Sequence, residues 1–428
     1  MIIVALGTVI GLLALAVPVA ASLGTLSIVL ADFFSTRPIL RALGQVSWST
    51  STDFLIVAIP FFVLLGEILL RSGMAERMYK ALALWVPWLP GGLMHTNIAS
   101  CAMFAATSGS SVATAATIGT VVLDEIERNE YPERLFLGSI AAGGTLGILI
   151  PPSINMIVYG VLTDTSIPRL YLAGVVPGLL MALLFSLIIV AYCMLFPAKA
   201  GRRMQATWAA RIRSLPDLLP PIFIFAVVIG SIYAGWATAT EAAGLGVIAA
   251  LIVAAWNKRL TVQMLLRAFE GTMRTNAMIM AVLLAAYALN FILAAVGLTA
   301  DMRRLFVQMD LSPVSLLLVV VLMYLILGMF LETLSMMVLT VPIIAPVMVQ
   351  AGFDPVWTGI IVIIMMEVGM ITPPVGMNLF VVQGLRKKGV ITDVILGALP
   401  FLIGMFAVVA AISVWPDIAL WLPSAMRG

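Results

Sequence analysis

The stretches "LGILIPPSINMIVYG" at residues 146–160 and "VGMITPPVGMNLFVV" at residues 368–382 are two versions of one pattern. Each places two consecutive prolines inside a strongly apolar run, flanked by Gly, Ser, Thr or Asn. A proline inside a helix removes a backbone donor and clashes with the preceding turn. The two stretches therefore predict two discontinuous helices, over 134–162 and 356–384, each broken at its proline pair.

The composition predicts a membrane protein. Of the 428 residues, 62% are hydrophobic and 10% are charged, whereas soluble domains carry about 25% charged residues. Runs of about 20 apolar residues, the length that crosses a bilayer, recur at 2–30, 54–70, 170–197, 217–235, 275–296 and 391–414. Such runs favour helices over the ~10-residue alternating strands of a membrane barrel. We predict an all-α polytopic membrane protein in which 2–30 is a retained first span.

Charge, cysteines and motifs exclude several other classes. A net charge of +3 is too small to suggest a nucleic-acid partner. Cys101 and Cys193 lie in apolar stretches, where a small buried hydrophobic residue is expected and a disulfide is not. No G-x-x-x-x-G-K-[ST] motif occurs, so the energy for any transport does not come from ATP bound by this chain.

The chain contains an internal repeat. An offset of 222 residues pairs Pro151 with Pro373, and "SGSSVATAATIG" (108–119) with "FLETLSMMVLTV" (330–341). Two further matches lie close to this register, Gly73 with Gly297 and Gly174 with Gly397. Three matches in register indicate two copies of one unit, a common arrangement in secondary transporters. We predict repeats at 1–200 and 216–428, joined by a basic linker at 201–215.

Lysine and arginine residues orient the two repeats, because short basic loops stay in the cytoplasm. The segment 198–215 carries five of them, and a second basic loop holds Arg386, Lys387 and Lys388. The loop after the first proline break then faces outward, and the loop after the second faces inward. We therefore predict an inverted repeat with a cytoplasmic N-terminus and a periplasmic C-terminus.

Two apolar regions, 91–127 and 312–350, are too short to hold two full spans each. The first is split by "TSGSS" and the second by "FLETLS", which predicts two re-entrant helical hairpins. Irregular backbone at membrane depth needs cover from protein or from a water-filled cavity, so the hairpin tips and proline breaks should meet near the midplane. Amphipathic stretches at 74–85 and 300–309 precede the hairpins, as interfacial helices or as arms between a mobile and a fixed unit.

The breaks predict sites for ions and for a solute. A broken helix leaves free carbonyls, and each new helix N-terminus favours an anion. Carbonyl, hydroxyl and amide oxygens suit a hard cation such as Na⁺, while the N-termini suit a carboxylate. Close helix packing is the alternative role for Gly and Ser at such positions.

The candidate residues follow from these breaks. In the first half they are Ser108, Gly109, Ser110, Ser111, Gly147, Pro151, Pro152, Ser153 and Asn155. In the second half they are Gly328, Glu332, Thr333, Ser335, Gly369, Thr372, Pro373, Pro374, Gly376 and Asn378. We assign one Na⁺ to Ser110, Ser111, Gly147 and Ser153, and a second to Gly328, Thr333, Gly369 and Thr372.

Few ionisable residues lie within the apolar regions, and such residues are functional candidates. They are Glu67, His95, Glu241, Glu332 and Glu367. Glu332 is the strongest because it lies at a predicted tip. Glu241 follows "ATAT", where a helix-capping role is equally expected, and a structural role is expected for His95. No continuous acidic relay for protons is visible, which favours Na⁺ coupling.

Five blocks together resemble the large membrane subunit of tripartite ATP-independent periplasmic (TRAP) transporters. They are "SGSSVATAATIG", "GILIPPSINMIVYG", "YAGWATATEAAGLGV", "LETLSMMVLTVPIIAPV" and "GMITPPVGMNLFVV", and the similarity covers essentially the whole chain. The resemblance implies Na⁺-driven uptake of an organic acid across a bacterial inner membrane by an elevator-like motion. It also implies two partners, a small four-helix membrane subunit that is not fused here and a periplasmic solute-binding protein.

Three other functions stay open. A stand-alone Na⁺/dicarboxylate symporter of a related family would work without a binding protein, and a channel would show no saturation at carrier rates. An intramembrane enzyme would use Ser110 as nucleophile, but no Lys or His lies at a spacing that would activate it. The solute also stays open among C4-dicarboxylates, sialic acids, keto acids and sugar acids.

Overall fold

The computed structural model describes residues 4–5, 7–8, 11–12, 15–35, 38–86, 88–197, 200–201, 206–298, 312–386 and 388–426, with the backbone alone at residue 127. Across these ranges the chain forms helices joined by loops, and no strand occurs in them. Six of the described helices are long and apolar enough to cross a membrane, or up to eight spans if each of two bent pairs counts as one. The predicted all-α membrane architecture is confirmed.

In the described part of the first half, ten α-helices have defined bounds. They are α1 (Val19–Phe34), α2 (Leu43–Ser51), α3 (Ala58–Arg71), α4 (Met74–Trp85), α5 (Leu93–Ser108), α6 (Ser111–Val122), α7 (Asp124–Arg128), α8 (Glu133–Leu149), α9 (Ile154–Thr163) and α10 (Ile167–Leu195).

The described part of the second half also holds ten. They are α11 (Trp208–Ser214), α12 (Leu219–Tyr233), α13 (Ala239–Trp256), α14 (Val262–Ala295), α15 (Pro313–Gly328), α16 (Thr333–Gln350), α17 (Pro355–Met370), α18 (Met377–Leu385), α19 (Ile391–Val414) and α20 (Asp417–Ala425).

Both proline pairs break a helix, as predicted. The first pair separates α8 from α9, which are bent by 42° relative to each other, and the second separates α17 from α18. The peptide bonds between the prolines of each pair are cis. The two predicted hairpins are also present, as α5 followed by α6 and as α15 followed by α16.

The helices of the two halves run in the same order. The series α5, α6, α8, α9 and α10 is followed by α15 to α19, and each helix starts 220 to 224 residues after its counterpart. This spacing matches the offset read from the proline pairs. The inversion of the repeats relative to a membrane, and their exact limits, stay predictions.

The described helices pack into two groups. In one group α1, α2 and α3 pack against α13 and α14, with α12 alongside α13. The other group contains both hairpins and both broken helices, packed around α8, α10, α17 and α19. The helix α4 follows Gly73, whose φ of 73° turns the chain from the first group towards the hairpin of the second.

The helices α8 and α19 cross in direct backbone contact. A Cβ atom added to Gly138 would lie 1.9 Å from the carbonyl oxygen of Gly397, and one added to Gly397 would lie 1.8 Å from that of Arg134. Only glycine fits on both sides, because the two backbones are in direct contact. A helix of the first half is thereby fixed to a helix of the second.

Two expectations about the chain's course were wrong. The run 2–30 is not one helix, because the described residues turn at Leu15 and Ala16 and α1 begins only after Pro18. The span predicted at 275–296 starts earlier, because Thr261 caps α14 by accepting a hydrogen bond from the N–H of Met264 at 3.1 Å. At 34 residues α14 is about 51 Å long, so its exposed charged first turns extend past a bilayer core.

Other expectations can be compared only in part. The amphipathic stretch 74–85 forms α4, with one buried face that includes Met78 and Tyr79. Its predicted counterpart at 300–309 lies outside the described residues, as do Lys199, Arg202, Arg203 and Lys387. Within the basic linker, α11 carries Arg211 and Arg213.

The α8–α19 crossing yields a stability prediction. Substitution Gly138→Ala should destabilise the protein by about 1–3 kcal/mol, the usual effect of overpacking, because the new methyl group would meet backbone. The melting temperature in detergent, monitored by size-exclusion chromatography, measures this loss of stability. Gly244→Ala in α13 is the control, since its Cβ would meet nothing within 4 Å. An equal melting temperature for both variants would contradict the crossing.

Candidate binding site at the helix breaks

The tip of the first hairpin is held by its own hydroxyl groups. After α5 ends at Ser108, Gly109 has a φ of 62°, and the Ser110 hydroxyl caps α6 by accepting a hydrogen bond from the N–H of Ala113 at 3.4 Å. The Thr114 hydroxyl donates to the Ser110 carbonyl at 2.7 Å and lies 2.9 Å from the Ser108 hydroxyl. These bonds hold the backbone of the tip in a defined conformation.

This tip lies directly on the first proline break. A Cβ at Gly147 would lie 2.5 Å from the Ser110 carbonyl oxygen and 2.9 Å from the N of Ser111. A Cβ at Gly109 would lie 2.9 Å from the carbonyl oxygen of Pro152 and 3.6 Å from Cα of Ser153. The structure therefore brings together all four residues of the predicted first Na⁺ site.

The half-helix beyond this break starts with two buried polar residues. The Ser153 hydroxyl caps α9 by accepting a hydrogen bond from the N–H of Met156 at 3.5 Å. The Nδ2 of Asn155 is buried and has no hydrogen-bond partner. An unpaired buried donor is costly, which marks this turn as a place where a further group would bind.

A carboxylate holds the tip of the second hairpin. Glu332 caps α16, accepting hydrogen bonds from the N–H groups of Leu334 and Ser335 at 3.1 Å each. The hydroxyls of Thr333 and Ser335 also donate to it, at 3.1 and 3.2 Å. The helix N-terminus is thus already occupied by the protein's own anion.

The second break touches the second hairpin through glycine. A Cβ at Gly369 would lie 2.5 Å from Cα of Gly328, so these two predicted ligands are in backbone contact. The Thr372 hydroxyl donates to the carbonyl of Val368 at 2.6 Å. The hydroxyls of Thr333 and Thr372 bond to neighbours along the chain, Glu332 and Val368, so the second predicted site is assembled less completely than the first. Pro373 and Pro374 link Thr372 to Gly376, which starts α18 with a φ of 52°.

One side chain joins the two halves at the breaks. The Nδ2 of Asn378 donates to the Ser111 hydroxyl at 2.8 Å and to the carbonyl of Ala141 at 3.1 Å. Its Oδ1 is buried without a hydrogen-bond partner, and Asn378 itself is fully buried. The packing is reciprocal, because α18 packs on α6 whereas α9 packs on α16. At this point the half-helix after the second break contacts the first hairpin tip, and the meeting of all the tips and breaks near the midplane stays a prediction.

The two breaks differ in exposure. All residues from Pro151 to Asn155 are buried, but Pro374 and Val375 in the second break are exposed. Phe330, at the second hairpin tip, is exposed as well. The second half thus carries the less buried of the two breaks. Glu332 is the only acidic or basic residue among the nineteen candidates.

Glu367 is one of the ionisable residues within the apolar regions, but it is not among the residues of the predicted site. It lies on α17, is fully buried, and neither carboxyl oxygen has a hydrogen-bond partner. The backbone of Leu149, next to the first break, faces this carboxyl without reaching hydrogen-bond geometry. Only the rarity of acidic residues in apolar runs marked it in the sequence.

Three of the remaining ionisable residues have structural roles. Glu241 forms a capping box with Thr238 at the start of α13, and Glu67 pairs with Arg71 on α3. The Nε2 of His95 donates to the carbonyl of Pro90 at 2.8 Å. The capping and structural roles expected for Glu241 and His95 are confirmed.

Broken helices, hairpins and a shared polar centre define a class of protein, the multi-span membrane transporter. The family model for "Tripartite ATP-independent periplasmic transporter, DctM component" matches residues 6–418. The chain belongs to this family of transporter permeases and is not an enzyme.

Individual proteins agree with this assignment. The chain is 32% identical to the C4-dicarboxylate TRAP transporter large permease protein DctM of Vibrio cholerae, over 98% of this chain and 97% of that protein. It is 34% identical to the protein of the same name from Rhodobacter capsulatus, over 98% of each. The fold is similar to the crystal structure of the Alcanivorax borkumensis YdaH transporter, with a TM-score of 0.58, 16% identity, and coverage of 95% of this chain and 97% of that one.

The contact between tip and break gives a second prediction. Gly147→Ala should abolish most transport, because its methyl group would force the Ser110 carbonyl away from the break. Uptake per folded protein in proteoliposomes measures this. Gly384→Ala, on the half-helix α18, should transport normally, since its Cβ would meet nothing within 4 Å. Normal uptake by Gly147→Ala would show that this contact is not part of the working site.

Proposed function

We propose that the chain is the transport subunit of a TRAP transporter that couples inward Na⁺ movement to uptake of a carboxylate-bearing organic acid. The observation that carries this proposal is the meeting of the first hairpin tip, the first break and Asn378 of the second half. There, backbone and hydroxyl groups of the first half meet the side-chain amide of Asn378 from the second half. Such sites at interrupted helices are where secondary transporters bind ions and anionic solutes.

The donor set suits Na⁺. The first site offers the backbone of Ser110 and Gly147 with the hydroxyls of Ser111 and Ser153, all hard oxygen donors of the kind that alkali and alkaline-earth cations prefer. The unpartnered Oδ1 of Asn378 lies on the side chain that bonds Ser111. A cation bound there would satisfy an acceptor that otherwise stays buried and unpaired.

The solute's carboxylate is assigned to the start of α18. Four helices begin at the hairpin tips and proline breaks. Ser110 caps α6, Ser153 caps α9 and Glu332 caps α16. The fourth helix, α18, follows Gly376 and has no side-chain cap. Its free N–H groups and dipole favour an anion. The neighbouring Pro374 and Val375 are exposed, so a solute would reach this end. The relatives named for C4-dicarboxylates make that class the first to test.

An elevator motion would use the two packed groups. The group around α3, α13 and α14 would stay fixed, and the group with the breaks would move across the membrane with its ions and solute. In this proposal the N-terminus is cytoplasmic and the C-terminus periplasmic. A small four-helix membrane subunit would complete the transporter, and a periplasmic solute-binding protein would deliver the acid.

The coupling ion gives a kinetic prediction. With one Na⁺ site at each break, initial uptake of succinate into proteoliposomes should rise with Na⁺ concentration with a Hill coefficient above one. The assay contains the complete transporter and a cognate binding protein, with K⁺ replacing Na⁺ as the control. Uptake that is independent of Na⁺ would overturn the coupling, and full uptake without the binding protein would favour the stand-alone symporter.

The second ion site predicts a separable effect of one hydroxyl. Thr372→Ala should raise the Na⁺ concentration for half-maximal uptake by about tenfold, the equivalent of about 1.4 kcal/mol, while the amount of folded protein changes little. Thr372→Ser keeps the hydroxyl and should stay near the unmodified protein. Equal losses of Na⁺ affinity and of folded protein in Thr372→Ala would instead indicate a packing role.

A further inference from the structure

Four charged side chains meet at the end of α18 that lies away from the break. The Nη2 of Arg386 lies 2.6 Å from Oε1 of Glu133, and both of its Nη atoms lie 3.4 Å from Oδ2 of Asp393. The Nε of Arg134 donates to Oδ1 of Asp393 at 3.0 Å. We call these four residues the charge cluster.

The Arg386 side chain is fitted into this cluster and is only 11% exposed. The turn that follows α18 wraps around it, because a Cβ at Gly389 would lie 2.1 Å from Nη2 of Arg386. Gly389 also has a φ of 86°, a conformation that other residues rarely adopt. The guanidinium therefore has a defined place, unlike a solvated arginine at a helix end.

The ion pairs cross between the halves in both directions. Arg386 of the second half pairs with Glu133 of the first, and Arg134 of the first half pairs with Asp393 of the second. About one helical turn further along lies the contact between the backbones of Gly138 and Gly397. The cluster thus closes one end of the interface where α8 and α19 are in direct contact.

We propose that Arg386 is a positioning residue, which holds α18 in register with the first half and so holds Asn378 against the first hairpin tip. The helix has only nine residues and no side-chain cap at its start. Besides its packing on α6, α8 and α19, two polar contacts near its ends hold it along its axis, Asn378 bonded to Ser111 and Arg386 in the charge cluster. This inference rests on the proposed function, because the consequence of losing register is a weaker ion site.

The test distinguishes a positioning role of Arg386 from a role in folding. In proteoliposomes that contain the complete transporter, Arg386→Gln should raise the Na⁺ concentration for half-maximal uptake by about threefold or more, within the range found when coupled networks are cut, with the maximal rate within about twofold. Arg386→Lys should restore part of the affinity, because it keeps the charge but not the planar fork. A double-mutant cycle with Glu133→Gln should be non-additive, since both substitutions cut the same pair.

Two further variants make the result specific. Gly389→Ala keeps every charge but places a methyl group where the guanidinium lies, so it should also weaken Na⁺ affinity. Arg128→Gln is the matched control, because that arginine is 70% exposed and pairs only weakly with Glu125 at 3.4 Å. It should leave the Na⁺ curve unchanged.

The outcomes are distinguishable. A folded Arg386→Gln variant with an unchanged Na⁺ curve would overturn the positioning role, as would additive effects with Glu133→Gln. If Arg386→Gln does not fold, Glu133→Gln alone decides, since an unchanged Na⁺ curve there overturns the role as well. Absence of Na⁺ dependence in the unmodified transporter would instead reject the proposed function.

Discussion

A bilayer cannot hydrate the backbone groups of a helix that stops inside it, and the two hairpin tips and two proline breaks of this chain interrupt four helices within its apolar regions. The structure meets that constraint by contact between the stops. The first hairpin tip lies on the first break through Gly147 and Ser110, and the second lies on its break through Gly328 and Gly369. Side-chain caps from Ser110, Ser153 and Glu332 take up further N–H groups. Beside these contacts, the Nδ2 of Asn155 and the Oδ1 of Asn378 are buried without a hydrogen-bond partner.

The rest of the fold supports those contacts. α8 carries one side of the first break and also contacts α19 of the second half at Gly138 and Gly397. The same helix accepts a hydrogen bond from Asn378 at the carbonyl of Ala141. One helix of the first half is therefore attached to the second half at its middle and near its start. In the proposed elevator motion, these contacts would keep the helices of this group together as it moves against the group around α3, α13 and α14.

Local rules predicted the breaks, but tertiary contacts decided how the ends are satisfied. Consecutive prolines in the interior of a helix remove two backbone donors and clash with the preceding turn, so the breaks between α8 and α9 and between α17 and α18 could be predicted from the sequence. The bond between Asn378 and Ser111 could not, because it joins residues 267 positions apart. Glu332 was recognised as a rare acid at a tip, but its bonds to four donors depend on the turn of the backbone. The start of α14 was predicted at residue 275, too late in the chain, because its first turns are charged and resemble a loop in the sequence. The cap at Thr261 shows that the helix starts before them.

The two halves share one pattern, but they differ where a solute would enter. The first break carries Ser153 and a buried turn, whereas the second carries Val375 at the same alignment position, with the neighbouring Pro374 exposed. Among the four helices that start at the hairpin tips and proline breaks, α18 alone has no side-chain cap, and it also lies in the second half. In the proposed function each copy of the duplicated unit would supply one Na⁺ site, although the second is assembled less completely than the first. A single solute needs one distinct contact, and substitution at a few positions of one copy is sufficient to create it.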